Sequence, residues 1–248
     1  MSDISIKGYS NLILLVKGAE ACIYTTPDNK IIKVCSYGPT KICCCSATRN
    51  HTKENVMRMC TISKDLSIKI PEYVPVIYDI IEGACPHGRP FIALVMEYIP
   101  GTLFMDFFGN IQPVLDDNPK SPEYTFDRII RLVTNFIGAV RAVQSCGYAH
   151  GDLNFSNIMI LPDDKIKIFD FGWSAALTNA NAKYDLLKGK SIIDTIICPL
   201  YDWKPISYLE YMGNNMERSL MLWNLSKYLT SALINDRMSH FYKDIPWP

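Results

Sequence analysis

The chain carries one segment whose residue types and spacing could do chemistry: His150-Gly151-Asp152-Leu153-Asn154-Phe155-Ser156-Asn157, then Ile158 to Leu161, Pro162-Asp163-Asp164, Lys165 to Phe169, and Asp170-Phe171-Gly172. Two short apolar runs joined by a Pro-Asp-Asp turn predict an antiparallel hairpin. Asn157 immediately precedes its first strand and Asp170 immediately follows its second. A hairpin brings such positions to the same end. With Asp152 in the preceding loop, three oxygen-bearing side chains can converge, the hard ligand set that a magnesium-nucleotide complex requires.

The elements that must position these residues fall into two regions. Before Pro100 the chain reads as five strands (Leu12–Val16, Cys22–Thr26, Lys30–Cys35, Tyr73–Ile81, Phe91–Tyr98) with one helix, over His51 to Ser63, capped by Asn50 or Thr52. In the third strand Lys33 shares a face with Ile31 and Cys35, an unusual placement for a purely solvated lysine. Beyond Pro100-Gly101, the positions Phe126, Ile129, Ile130, Val133, Phe136, Ile137, Val140 and Val143 follow helical spacing, and Gly147 ends that helix. A β-rich first part and a mostly helical second part predict an α+β fold of two lobes with a boundary near Pro100.

Composition excludes several other classes. Of 248 residues, 48% are apolar and 20% charged, as in globular proteins, so a disordered or fibrous chain is not expected. Lys plus Arg equals Asp plus Glu at 25 each, so there is no global basic field and no direct nucleic-acid signal. No apolar run approaches the roughly 18 residues of a membrane span, and Met1 to Gly8 lacks the features of a signal peptide, so no membrane association is expected. Nine cysteines without repeated spacing, Cys43-Cys44-Cys45 among them, fit reduced thiols better than disulfides or a metal site. These features predict a cytoplasmic location, with the nucleus left open. Trp203, Trp223 and Trp247, with the nearby tyrosines, read as core of the last part of the chain.

His150, Asp152, Asn157 and Asp170-Phe171-Gly172 resemble the catalytic-loop and metal-binding motifs of the protein-kinase superfamily. The resemblance implies a two-lobed fold, with residues 1–100 a nucleotide-binding lobe and 101–248 a catalytic lobe, together one kinase domain whose C-lobe is shortened. It implies ATP and Mg²⁺ as cofactors. Asp152 would meet the proton of the attacking hydroxyl, Asn157 and Asp170 would hold the metal, and Lys33, paired with Glu54 of the helix, would anchor the phosphates. Leu94 to Gly101 looks like a kinase hinge, with Met96 as gatekeeper and the Glu97 carbonyl and Ile99 amide facing adenine.

The departures are also informative. The glycine-rich loop is reduced to Lys17-Gly18-Ala19-Glu20-Ala21, in which Gly18 and Ala19 would cover the phosphates. That string, with His-Gly-Asp-Leu ending in Ser-Asn, resembles the small atypical kinase of the KEOPS complex, and compact kinases of this kind also occur in large DNA viruses. Asn154 stands where serine/threonine kinases carry a lysine, and no Ala-Pro-Glu motif follows Gly172. Asp185 or Asp194 would brace the catalytic loop. The expected function is a protein serine/threonine kinase acting on ATP and a protein with a Ser or Thr acceptor. Alternatives are a small-molecule kinase of the aminoglycoside or choline type, and a pseudokinase or ATPase subunit working through a partner.

Overall fold

The computed structural model describes residues 4–18, 20–38, 51–107 and 126–197. Ala19, the Cys43–Cys45 triplet and the aromatic cluster around Trp203, Trp223 and Trp247 lie outside the described residues. The chain divides into two compact units, Met1–Ile99 with Asp170–Ser174, and Pro100–Phe169 with Ala175–Pro248.

The first unit is built on a five-stranded antiparallel sheet in the order β1-β2-β3-β5-β4. Its strands are β1 (Ile13–Lys17), β2 (Cys22–Thr25), β3 (Lys30–Ser36), β4 (Ile77–Ala84) and β5 (Pro90–Glu97). The β2–β3 turn forms because Asn29 accepts a left-handed backbone, φ +55°, and Thr26 N–H donates to the Lys30 carbonyl. One face of the sheet (Cys22, Tyr24, Ile32, Val34, Phe91, Ala93, Val95) is covered by Ile4 and Ile6. The other (Cys35, Ile92, Leu94) is covered by Val56, Met59 and Cys60 of helix α1 (Lys53–Lys69).

Thr52 caps α1, its Oγ1 accepting from Asn55 N–H at 3.2 Å. The helix runs beyond the expected Ser63 because Leu66 and Ser67 continue its buried face, and Ser67 Oγ accepts from Ile77 N–H at 2.9 Å. Pro71 follows the cap at Ile70 and prevents further extension. β4 begins at Ile77 rather than Tyr73 because Tyr73 N–H turns back onto the Ile70 carbonyl. The later segment Asp170–Ser174 belongs to this unit, where the 3₁₀ turn Phe171–Trp173 packs against α1.

The second unit holds a small sheet, β6 (Thr102–Leu103), β8 (Ile158–Ile160) and β9 (Ile166–Ile168), and a two-stranded ribbon of β7 (Tyr148–Ala149) with β10 (Ala175–Ala176). The predicted hairpin is present, with Ile158 opposite Ile168 and Ile160 opposite Ile166. Its turn depends on Asp164, which adopts φ +62°. Helix α2 (Phe126–Ser145) holds that turn: Arg128 Nε and Arg131 Nη2 donate to the Asp164 carboxylate at 2.8 and 3.2 Å, and Asn135 Nδ2 to its carbonyl at 2.9 Å. Val133, Phe136, Ile137, Val140 and Val143 are buried, as the helical spacing requires. Helix α3 (Asn179–Ile197) packs against α2 and β7.

Gly101 lets β6 approach β8 closely, since a Cβ there would lie 2.4 Å from the Ile160 carbonyl oxygen. Gly101→Ala is expected to lower unfolding stability by about 1–3 kcal/mol through this clash, measurable by chemical denaturation.

Candidate functional site

Within the first unit, the register β3–β5 sets Lys33 opposite Leu94, and β2–β3 sets it opposite Ile23. Its side chain emerges on the α1 face and is only 7% exposed. Nζ donates to Asp170 Oδ1 at 2.5 Å. Burial pushes the Lys33 ammonium toward lower pKa, but the charges of Asp170, Cys35 and Glu20 outweigh it and hold its pKa above the usual value. The lysine is thus a fixed cation.

Asp170 adopts a left-handed backbone, φ +65°, ψ +69°, and caps the turn that follows by accepting Gly172 N–H at 3.3 Å. Such a conformation costs a non-glycine residue about 1 kcal/mol or more. It is held by the turn's own capping and by the ion pair to Lys33. A small cleft is lined by Glu20, Lys33, Cys35, Asn55, Met59 and Gly172.

Glu54 is not brought to Lys33. The expected Lys33–Glu54 pair is corrected: Glu54 sits exposed in the first turn of α1, and Asp170 is the carboxylate on Lys33. Backbone amide donation and Thr52 lower the Glu54 pKa. The reason is helical phase. The buried stripe of α1 begins at Val56 and continues through Met59 and Cys60, which turns position 54 outward.

In the second unit, residues His150 to Asn157 form a connected hydrogen-bond set. His150 is 1% exposed; its Nε2 donates to the Phe169 carbonyl at 2.9 Å, and its Nδ1 accepts Asp152 N–H at 3.2 Å. A carbonyl can only accept and an amide only donate, so these partners assign the neutral imidazole with its proton on Nε2. Phe169 N–H in turn donates to the Asn157 carbonyl at 3.0 Å, closing the open end of the hairpin, and Asp170 is the next residue of the chain.

Asn157 is buried, and its Nδ2 donates to both the carbonyl and Oδ2 of Asp152, at 2.9 and 3.0 Å. That orientation leaves Oδ1 as the amide's oxygen donor for a cation. Asn154, which stands at the position of the kinase lysine, caps the 3₁₀ turn Phe155–Asn157 through Oδ1 and donates to the Asp152 carbonyl at 3.1 Å. Its side chain is committed to shaping the loop.

Asp185 carries the contacts expected of a brace, and the Asp194 side chain lies outside the described residues. Its Oδ2 and Oδ1 accept the His150 and Gly151 N–H groups at 2.6 and 2.9 Å, and Gly151 at φ +79° presents both amides to it. Burial raises the Asp185 pKa, while the two amide donors and His150 oppose that shift. Spacing alone could not separate Asp185 from Asp194, because both lie on one long helix and only packing shows which turn meets the loop.

In the segment expected to form the hinge, Met96 packs partly against the α1-side core. Glu97 is tied to Val76, donating its N–H to that carbonyl at 2.8 Å and accepting Val76 N–H on Oε2 at 2.9 Å. Ile99 is half-buried and closes the first unit. Gly18 N–H donates to the Ala21 carbonyl at 2.9 Å, forming the tight turn between β1 and β2. Among the described residues there is no cluster of His, Cys, Asp and Glu suited to a metal, and no helix is long and apolar enough to cross a membrane.

A family model described as protein kinase domain matches residues 33–191, well over half of the chain. The chain belongs to the protein kinase domain family. Similar proteins include the serine/threonine-protein kinase PknB of Mycolicibacterium smegmatis, 31% identical over 103 residues, 42% of this chain and 15% of that protein. Citron Rho-interacting kinase of Mus musculus is 36% identical over 88 residues, 36% of this chain and 4% of that one. The serine/threonine-protein kinase ppk35 of Schizosaccharomyces pombe is 31% identical over 90 residues, 36% of this chain and 13% of that one. The matched part is thus a small fraction of each relative's length. A protein kinase domain takes ATP as phosphoryl donor, typically with a divalent metal. The α+β architecture expected from sequence is the one observed.

In this kinase domain the Lys33 match opens the family region, and Asp152, Asn157, Asp170 and Asp185 all fall inside it, whereas Glu20 lies before it. Glu20 is not among the functional residues that the sequence pattern predicts. The one available signal was a carboxylate inside a loop expected to face phosphates.

Two outcomes follow. Asp185→Ala removes two buried acceptors, so amide exchange at His150 and Gly151 should quicken about tenfold or more, in line with about 1–3 kcal/mol for buried hydrogen bonds left unmade. Burial pushes the Cys35 thiol up to about 11 and the Cys60 thiol up to about 12. Both should therefore resist iodoacetamide at neutral pH until the protein is unfolded, as read by peptide mass spectrometry.

Proposed function

We propose that this kinase domain is an ATP- and Mg²⁺-dependent protein serine/threonine kinase. The observation that carries the reading is the buried Lys33 ammonium held by Asp170 on the first unit. A cation at that depth persists only opposite negative charge, which a triphosphate supplies in abundance. Two of the similar proteins carry the words serine/threonine-protein kinase in their names, which supports hydroxyl side chains as acceptors.

By the kinase motifs Asp170 and Asn157 would hold Mg²⁺, and their residue types suit it. Asp170 offers a carboxylate and Asn157 an amide oxygen whose partner nitrogen is already spent on Asp152, hard oxygens of the type magnesium prefers. Bound there, Mg²⁺ would neutralise charge on the transferring phosphate. Lys33 would hold the phosphates, with Gly18 of the β1–β2 turn covering them. Met96, Glu97 and Ile99 would border and pair with the adenine. Asp152, fixed by the Asn157 amide, would orient the acceptor hydroxyl and take its proton.

Because the catalytic loop is held rigid by Asp185, His150 and Asn157, catalysis would come from positioning and charge stabilisation. Asn154 supplies no cation near Asp152, so transfer would proceed without the help ordinary serine/threonine kinases draw from a lysine there. The Lys17–Ala21 loop and the His-Gly-Asp-Leu string support a compact atypical kinase similar in its motifs to the small kinase of the KEOPS complex and to small viral kinases.

The test is phosphotransfer from labelled ATP with Mg²⁺, reading autophosphorylation, protein acceptors, small metabolites and free phosphate. Label on Ser or Thr is expected, abolished by Asp170→Asn and reduced roughly 10²- to 10⁴-fold by Asp152→Asn with ATP binding retained. Label on an aminoglycoside or choline would make it a small-molecule kinase. Phosphate release without labelling would make it an ATPase, and no Mg·ATP binding by calorimetry would make it a pseudokinase.

A further inference from the structure

In protein kinases the phosphate-binding lysine is anchored by a helix glutamate. Here the only carboxylate on the first turn of α1, Glu54, faces away, and the residues α1 presents to the cleft beside Lys33 are Asn55, Val56 and Met59, which carry no charge. A buried ammonium with a single carboxylate partner poses a difficulty. If Asp170 turns to a metal, Lys33 loses its counter-charge at the moment it must hold phosphate, and a buried unpaired charge costs several kcal/mol.

A second carboxylate is present. Glu20, two residues after Gly18, lines the same cleft as Lys33. Its Oε2 and the Asp170 Oδ1 both lie within about 3.5 Å of a single point beside Gly172, the place a Cβ on that residue would occupy, at 3.5 and 3.3 Å. Lys33 Nζ is 2.5 Å from that same Asp170 oxygen. Two acidic groups from different segments of the chain thus reach the cleft that holds the ammonium.

We infer that Glu20, from the turn between β1 and β2, is the positioning residue for Lys33, replacing the helix glutamate. Its charge contributes to the raised Lys33 pKa, in agreement with this placement. With Glu20 fixed beside Lys33, Asp170 is released to the metal while the lysine keeps a counter-charge. The anchor thus sits on the turn between β1 and β2 rather than on α1. The inference rests on the kinase reading for its catalytic consequence, but the juxtaposition of Glu20 with Lys33 stands apart from it.

The test compares Glu20→Gln, Glu20→Asp and Glu54→Gln in the full chain. Glu20→Gln is expected to lower kcat tenfold or more with the ATP KM changed less than threefold, and Glu20→Asp to restore part of the loss. An unchanged kcat with a lower ATP KM would show a residue that merely repels phosphate and would overturn the inference. So would a loss in Glu54→Gln with none in Glu20→Gln. If the wild type transfers no phosphate the kinase reading fails, and thermal unfolding decides Glu20 separately. Glu20→Gln should lower Tm by roughly 2 °C or more when Lys33 is present, but not in a Lys33→Met background, where two like charges would otherwise face each other. Equal falls in both backgrounds would overturn the inference.

Discussion

Burying the Lys33 ammonium is the constraint around which the first unit is arranged. A central strand places it on the helix-covered face of the sheet, where solvation is lost, and only nearby carboxylates make that placement tolerable. Asp170 meets it directly. The aspartate must then leave the helical and extended regions of backbone space and adopt a left-handed conformation, stabilised by the turn at Phe171–Trp173. Phe171 is buried, so that turn has its own apolar anchor. One charged contact thereby ties a strand, a turn and a helix face into a single arrangement.

The second unit solves a different problem, holding a loop of irregular backbone without leaving its polar groups unpaired. Asp185 takes two amides, His150 one amide and one carbonyl, Asn157 the Asp152 carbonyl and carboxylate. Each side chain is used for what its chemistry permits, an acceptor-only carboxylate toward donors and an imidazole with one face of each kind. The result is a loop whose shape is held by its own hydrogen bonds. Asn154 illustrates the cost of that economy, since a residue that caps the following turn is not available as a cation.

Much of this was legible in the residues. The Pro-Asp-Asp turn between two apolar runs specified the hairpin, the spacing of Val133, Phe136, Ile137, Val140 and Val143 specified the buried face of a helix, and the alternation around Lys33 placed it between apolar neighbours. These are local signals of period two or 3.6, carried within a dozen residues. The expected Lys33–Glu54 pairing is absent because a place on a helix does not by itself fix the direction of a side chain. Glu54 was the only glutamate on the predicted helix, but a rotation of two positions along a helix turns a side chain by about 200° away from the facing element. The carboxylate that does meet Lys33 comes from position 170 and the other acidic group in its cleft from position 20, and nothing in a linear pattern joins them.

The sequence by itself determined the chemistry available: a lysine on a strand, acidic and amide oxygens in the order of the kinase motifs, and strands and helices long enough to bury cores on both faces of one sheet. Tertiary structure decided the assignments. It selected Asp185 as the acceptor for the catalytic loop, gave Lys33 to Asp170, and set Glu20 in the same cleft. The physical reason is that periodicity states which way a side chain points from its own element, whereas a hydrogen bond or ion pair requires two elements to meet within about 3 Å, and that distance is fixed only when the cores pack.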